Sequence, residues 1–117
     1  MEKILESIKK LLGIADDDDH FDNEVIMQIN TAIMSATMLG IGPSKGFVVT
    51  KDTKWIEFVD DRIDIEGVKT YIFLKVRQAF DPPATSYLIE SINKQITELE
   101  WKLIIQVEAA DKEDRDE

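Results

Sequence analysis

The chain has 117 residues, no cysteine and a formal net charge of −10 at pH 7. A chain of this length predicts a single domain, and the lack of cysteine excludes disulfides, thiol catalysis and cysteine-ligated metals. Its negative charge would repel nucleic-acid phosphates, which argues against a protein that wraps or reads DNA.

The N-terminal region predicts a short amphipathic helix over residues 2–12. Its apolar side chains recur on one side at helical spacing, and Gly13 follows as a C-cap. The acidic run at residues 16–24 suits the start of a second helix, where Asp19 or Asp22 would cap free backbone amides. No register of this run places both a glycine and a carboxylate where an EF-hand needs them, so no metal site is predicted.

A second helix is predicted over residues 22–39, within a stretch that has no charge from residue 25 to residue 44. Polar residues and the sequence GIGP interrupt it too early for a membrane span, which needs about 20 mainly apolar residues. The broad apolar stripe expected to face the core contains Val25, Ile29, Ala32, Ile33, Ala36 and Leu39. A separate stripe contains Met27, Met34 and Met38. Such a helix either is covered by its own domain and by a partner, or lies centrally within its own domain.

Residues 40–64 have a less regular pattern. GIGPSKG cannot continue a helix, whereas FVVT contains strand-forming residues. Two interpretations stay open for residues 47–59: a β-hairpin, or an extended piece followed by a short helical turn from Trp55. Trp55 and Phe58 are expected to cover the core.

A third helix is predicted over residues 65–80, and a rigid corner follows it at Asp81, Pro82 and Pro83. A residue before proline is kept out of the helical region, which stops the third helix. Pro83 fits the first turn of the next helix, where no hydrogen bond of its amide is lost. The corner therefore sets the direction of the final helix.

The final helix is predicted from residue 84 or 86 to residue 107, with Thr85 or Ser86 as its cap. Its main apolar stripe consists of Ile89, Ile92, Ile96, Leu99 and Leu103. Further apolar residues lie off that stripe: Leu88, Trp101, Ile104 and Ile105. Apolar surface beyond what one domain buries is typical of a protein that binds a partner. Residues 108–117 are strongly acidic and are predicted to form a disordered tail after a single helical domain of residues 1–107.

The sequence has no pattern that predicts catalysis. It lacks a glycine-rich phosphate loop, zinc-ligand spacing and a nucleophile with a candidate base. Asp60 and Asp61 are adjacent acids, but the sequence has 24 acidic residues, so this pair alone does not indicate a catalytic site. We therefore expect no catalytic, cofactor-binding or metal-binding residue, and a protein that is not an enzyme.

The order of several sequence segments resembles that of the head-tail connector, or head completion, proteins of long-tailed phages and of prophages in Gram-positive bacteria. The first helix closes in IKKLLGI, acids lead into FDNEVIMQIN, and LGIGP and GFVV follow, with a tryptophan eight residues after Phe47. VKTYIFLKVRQAFDPP and a last helix with ELEWKL complete the series. The resemblance covers about residues 3–104.

The resemblance implies a mainly all-α structure, a small bundle of about four helices with an extended or hairpin segment around residues 47–59. It also implies a structural virion protein that assembles as a ring of about twelve copies under the portal. Such a ring extends the DNA channel, with DNA only as passing cargo, and offers a platform to the next tail-interface protein. The expected location is the host cytoplasm during assembly and the virion neck afterwards, with no membrane contact.

Two rival functions follow from the acids. An acidic module that mimics DNA would bind a basic protein such as a nuclease or repressor, and a metal-assisted enzyme would use the aspartate run. The ring interpretation instead predicts that side chains outside the core stripes meet a neighbouring subunit. These interface candidates are Met27, Met34, Met38, Trp101 and Ile105.

Overall fold

Five helices make up the protein in a computed structural model that describes the backbone of residues 2–116 and the side chains of residues 2–113. In chain order they are α1 (Ile4–Leu12), α2 (Asp22–Met38), α3 (Trp55–Phe58), α4 (Ile65–Phe80) and α5 (Ser86–Asp116). Within residues 2–116 no segment forms a strand, so the predicted all-α bundle is confirmed.

Helix α4 lies at the centre of the bundle and packs against α1, α2 and α5. Its core side chains Val68, Ile72 and Val76 are fully buried, as the helical spacing predicts. Tyr71 is also buried, and its hydroxyl donates a hydrogen bond to Glu100 Oε2 on α5 at 2.9 Å. Burial raises the pKa of Tyr71 well above its ordinary value, and the Glu100 carboxylate raises it further. The phenol thus stays protonated and links two helices.

The ends of the helices follow the sequence in most cases. Gly13 adopts a left-handed conformation with φ 80° and closes α1, as predicted. Thr85 Oγ1 accepts a hydrogen bond from the Leu88 amide at 3.3 Å, which confirms Thr85 as the cap of α5. Asp81, Pro82 and Pro83 lie in the non-helical segment between α4 and α5. The placement of Pro83 in the first turn of the final helix is therefore wrong, because α5 begins only at Ser86, after its cap Thr85.

The predicted capping of α2 by Asp19 or Asp22 is wrong. The N-cap residue is Phe21, and no side chain caps this helix. Asp22 instead forms a buried ion pair with Lys9 of α1, with 2.9 Å between Lys9 Nζ and Asp22 Oδ1. Lys9 Nζ also donates to the carbonyl oxygen of Asp16 at 3.2 Å. Because a buried ammonium needs a carboxylate, Asp22 pairs with Lys9 rather than with the helix amides.

The segment from Phe47 to Thr50 forms neither a helix nor a strand, and it does not form a hairpin. The side chain of Asn30 holds it: the Val49 amide donates to Asn30 Oδ1 at 2.7 Å, and Asn30 Nδ2 donates to the Val49 carbonyl at 3.1 Å. Helix α3 then begins at Trp55. The hairpin interpretation is therefore wrong, and the short helical turn from Trp55 is confirmed. The carboxamide of Asn30 on α2 forms the two backbone hydrogen bonds that a second strand would otherwise provide.

Replacement of Asn30 by alanine is expected to lower the free energy of unfolding by about 2 kcal/mol, because the amide and carbonyl of Val49 lose their partners in a partly buried place. Urea denaturation measures the loss, and hydrogen exchange of the Val49 amide reports the contact directly. The exposed Asn23, changed to alanine on the same helix, is the matched control. Unchanged protection of the Val49 amide in the Asn30→Ala variant would contradict the role given to Asn30.

Helix α5 is longer than the sequence predicts. It continues to Asp116 rather than ending at residue 107, because Val107 and Ala110 are still buried and Val107 packs beside Gly40. Glutamate, alanine and lysine in this part also favour a helix. The division into a domain of residues 1–107 and an acidic tail of residues 108–117 stays a prediction. The tail side chains from residue 114 onward lie outside the described residues.

Candidate interaction surfaces

The three methionines of α2 form one exposed stripe, which we call the methionine stripe. The exposed fractions of Met27, Met34 and Met38 are 63%, 67% and 87%. The opposite side of this helix, with Val25 and Ile29, packs into the core, and most of the side chains between the two sides are less exposed than the methionines. The stripe exists because the methionines recur seven and four residues apart, close to whole turns of an α-helix.

The segment of residues 47–50 is held against α2 next to the methionine stripe. Asn30, which flanks the stripe on α2, holds Val49 against the helix, and Val49 is buried while Val48 is exposed. Val49 is thus fixed inward, while its neighbour Val48 faces solvent. An exposed apolar residue from outside the helix therefore lies next to the point where this segment is attached to α2.

At the N-terminal end of the methionine stripe, two aromatic rings border a cleft. Phe21 and Phe80 pack edge to face with 5.6 Å between ring centroids. The cleft has a volume of about 550 Å³ and is lined by Ile14, Phe21, Glu24, Met27, Gln28, Ala79, Phe80 and Asp81. Because Met27 belongs to both features, the stripe adjoins the cleft, whose lining also contains the polar residues Glu24, Gln28 and Asp81.

Helix α5 presents a second exposed apolar surface, which we call the outer face of α5 and define by Tyr87, Trp101 and Ile105. Trp101 is 66% exposed and Ile105 is 58% exposed, and Tyr87 is exposed as well. Tyr87 precedes Trp101 by 14 residues and Ile105 follows it by four, so all three lie on the same side of the helix. They point away from the buried residues Ile92, Ile96 and Leu103.

The assignment of Ile89 to the core stripe is wrong, because this side chain is 42% exposed. It lies in the first turn of α5, next to the corner between α4 and α5. There it lines a shallow cleft of about 280 Å³ together with Gln78, Pro82, Pro83, Ile92 and Asn93. The corner places this turn at the edge of the bundle, where only one side of the helix is covered.

Some of the charged groups near the surface form ion pairs. Lys69 Nζ lies 2.8 Å from Glu2 Oε1, which lowers the pKa of Glu2 and raises the pKa of Lys69. A hydrogen bond from Arg62 likewise lowers the pKa of Asp60. These shifts favour the charged forms of groups that water already reaches, as expected for surface ion pairs.

Two further searches of the described part of the chain gave negative results. Among residues 2–113, no group of three or more histidine, aspartate or glutamate side chains could hold a metal ion. No helix within the described residues is long and apolar enough to cross a membrane.

The structure brings the predicted interface residues together in two groups. Met27, Met34 and Met38 share one face of α2, and Trp101 and Ile105 share one face of α5. Both helices pack against α4, and each carries its own exposed face. The sequence analysis missed Tyr87, although its distance of 14 residues from Trp101 is the signal that identifies it. It also missed Val48 and the cleft between Phe21 and Phe80, which depend on contacts between distant segments.

Comparison with known proteins gave one family. The family model described as phage connector protein matches residues 4–110, which is nearly the whole chain. Neither the curated proteins nor the solved structures gave a significant match. The family match includes both exposed apolar surfaces and the corner between α4 and α5.

Proposed function

The chain belongs to the phage connector protein family, and we propose that it assembles as a ring between the portal and the tail of a phage particle. The family role is that of a structural head-tail connector. In the ring, each copy contacts two neighbouring copies, the portal on one side and the next tail-interface protein on the other. About twelve copies would match the symmetry of a portal.

Two exposed apolar surfaces on different helices support this function most directly. A subunit of a closed ring makes head-to-tail contacts, so it needs two unlike patches, one for each neighbour. The methionine stripe and the outer face of α5 are such a pair, since they differ in residues and lie on separate helices. A protein that works as a monomer would have little reason to expose three methionines and a tryptophan.

The composition of the two surfaces suits protein contacts. Methionine side chains are flexible and adapt to the shape of a partner. Tryptophan is enriched among the residues that contribute most to binding energy at interfaces. Trp101 on α5 is therefore the expected anchor of one patch, and Met34, at the middle of the stripe, is the expected centre of the other.

The net charge of −10 fits a channel through which DNA passes. DNA carries about one negative charge per 1.7 Å of its axis, and an acidic wall repels it. A wall of this kind lets the DNA slide without binding it. DNA is then cargo of the ring rather than a ligand.

Replacement of Met34 by glutamate is expected to abolish ring assembly and leave a folded monomer. A charge buried in an apolar interface costs several kcal/mol unless it is paired, whereas at an exposed position of a monomer it costs little. Analytical ultracentrifugation and electron microscopy of mixtures with the portal protein measure assembly. Circular dichroism with thermal unfolding measures the fold.

Two matched variants control for the substitution itself. Met34→Leu keeps an apolar side chain of similar size and should assemble, and Gln95→Glu places a new charge on an exposed position of α5 outside its outer face. Assembly of Met34→Glu at the normal level would contradict the proposal. Unfolding of that variant would show Met34 to be a core residue and would contradict it as well.

A further inference from the structure

The methionine stripe carries all the sulfur atoms of the described residues. The sequence has four methionines and no cysteine, and the fourth methionine, Met1, lies outside the described residues. Peroxides oxidise both thiolates and thioethers, so a chain without thiols offers them only its thioethers. A peroxide that reaches the described part of this protein therefore meets sulfur on one face of α2.

All three side chains of the stripe are open to such a reagent. The exposed fraction is 87% for Met38, 67% for Met34 and 63% for Met27. Met27 also lines the cleft bordered by Phe21 and Phe80, which is itself open to solvent on one side. Because oxidation of a side chain follows its exposure, none of the three sulfur atoms requires unfolding of the chain before it reacts.

The reaction adds one oxygen atom to each side chain. The sulfur lone pair attacks one oxygen of hydrogen peroxide, an S–O bond forms as the O–O bond breaks, and the other oxygen leaves as water. Sulfur loses two electrons and the peroxide gains them. The product, methionine sulfoxide, is polar and chiral, and a dithiol-dependent reductase returns it to the thioether with release of water and formation of a disulfide in the reductant. The change is therefore reversible.

The fold does not depend on the apolar character of the stripe. The opposite side of α2 attaches the helix to the core through Val25, Ile29 and Ile33, which are fully buried. A polar group that forms at an exposed position keeps its contact with water, so it costs the folded chain little. Oxidation thus changes the surface of α2 and leaves the packing of the helix in place.

We propose that the methionine stripe is a reversible oxidation site of the free chain, with hydrogen peroxide as its oxidant, and that its oxidation prevents ring assembly. The effect on assembly rests on the proposed ring, whereas the modification itself does not. In a contact that buries the stripe, each sulfoxide oxygen loses its water without gaining a partner, which disfavours the contact. Three sulfoxides on one face act on the same contact, so their effects combine.

Peptide mass spectrometry after brief treatment with hydrogen peroxide measures the modification. The folded chain should form sulfoxide at Met27, Met34 and Met38 at rates within about threefold of those in the urea-unfolded chain, because these side chains are already exposed. Circular dichroism should show an unchanged helical spectrum. Stripe methionines that react only after unfolding, or a loss of helix as they react, would overturn the inference.

Assembly with the portal protein measures the consequence of oxidation. The oxidised chain is freed of peroxide before it is mixed with untreated portal protein, so that only its own residues are changed. Ring formation, followed by electron microscopy and analytical ultracentrifugation, should fall by about tenfold or more. Methionine sulfoxide reductases for both sulfoxide epimers should restore it. Normal assembly of the oxidised chain, or a loss that the reductases do not reverse, would contradict the proposal.

Two variants show whether the stripe is responsible for the effect. Met27→Leu/Met34→Leu/Met38→Leu keeps the side chains apolar and of similar size, so it should assemble both before and after peroxide treatment. Met34→Gln places an uncharged polar side chain in the stripe and should weaken assembly without any peroxide. If the leucine variant still loses assembly after peroxide treatment, another residue such as Met1 or Trp101 is the sensitive one and the inference fails.

The outcomes separate this inference from the proposed function. Rings of the untreated chain that also form after oxidation of the stripe would overturn the inference and leave the ring intact. If the untreated chain forms no ring with the portal protein, the proposed function fails together with the effect on assembly. The mass-spectrometric result then decides alone whether the stripe is an oxidation site.

Discussion

Replacement of Lys9 by alanine is expected to lower the free energy of unfolding by about 3–5 kcal/mol, because it leaves a buried carboxylate without its partner. Lys9 and Asp22 are both almost fully buried, and Lys9 Nζ is 2.9 Å from Asp22 Oδ1. That oxygen has no hydrogen-bond partner within the described residues, so the ion pair alone compensates its burial. Urea denaturation at neutral pH measures the loss.

Two further variants show whether the effect belongs to the ion pair. Lys10→Ala removes the neighbouring, exposed lysine and should change stability by less than about 0.5 kcal/mol. Lys9→Met/Asp22→Leu replaces both partners by apolar side chains of similar size and should recover most of the loss. If the double variant is as unstable as Lys9→Ala, the loss arises from packing around Lys9 and the ion pair is not its cause.

Replacement of Gly42 by alanine is the second change with a large expected effect, a loss of about 2–5 kcal/mol. Gly42 has φ +76°, a conformation that costs other residues about 1–2 kcal/mol. A Cβ atom at this position would also overlap the ring of Phe58 and lie 2.8 Å from its Cδ1. Phe58 is buried and packs against the ring of Phe47, so the overlap adds about 1–3 kcal/mol.

Gly46 provides the matched control for this prediction. Its φ of +93° imposes a similar backbone strain, but a Cβ atom there would meet no atom within 4 Å. Gly46→Ala should therefore lose only the conformational part, about 1–2 kcal/mol. Thermal unfolding of both variants measures the difference. Equal losses at the two positions would contradict the predicted contact between position 42 and Phe58.

The helices could be predicted from the sequence because each depends on local signals. Gly13 ends α1, the prolines at 82 and 83 separate α4 from α5, and apolar residues recur at helical spacing between these points. The contacts of Lys9 and Asn30 could not be predicted in this way. Lys9 pairs with a residue 13 positions away and Asn30 with a residue 19 positions away, and no local pattern encodes such a partner.

The exposed surfaces were predicted only in part. The spacing of Met27, Met34 and Met38 separates them from the core stripe on a helical wheel, and the same holds for Trp101 and Ile105. The exposure of Ile89 could not be predicted, since its spacing is that of a core residue. It is exposed because it lies in the first turn of α5, next to the corner between α4 and α5. The acidic residues after position 107 predict a tail, so the sequence underestimates the length of α5. The helix continues because Val107 and Ala110 supply apolar contacts near its end.

The contact between Asn30 and Val49 also affects how fast and how tightly a neighbour can dock. Fixing the backbone of one residue costs about 1–2 kcal/mol of conformational entropy. Because the carboxamide of Asn30 orders the segment around Val49 within each chain, that entropy is lost during folding. A protein that arrives at the methionine stripe therefore meets a preorganised surface, and its binding energy is not reduced by ordering a loop.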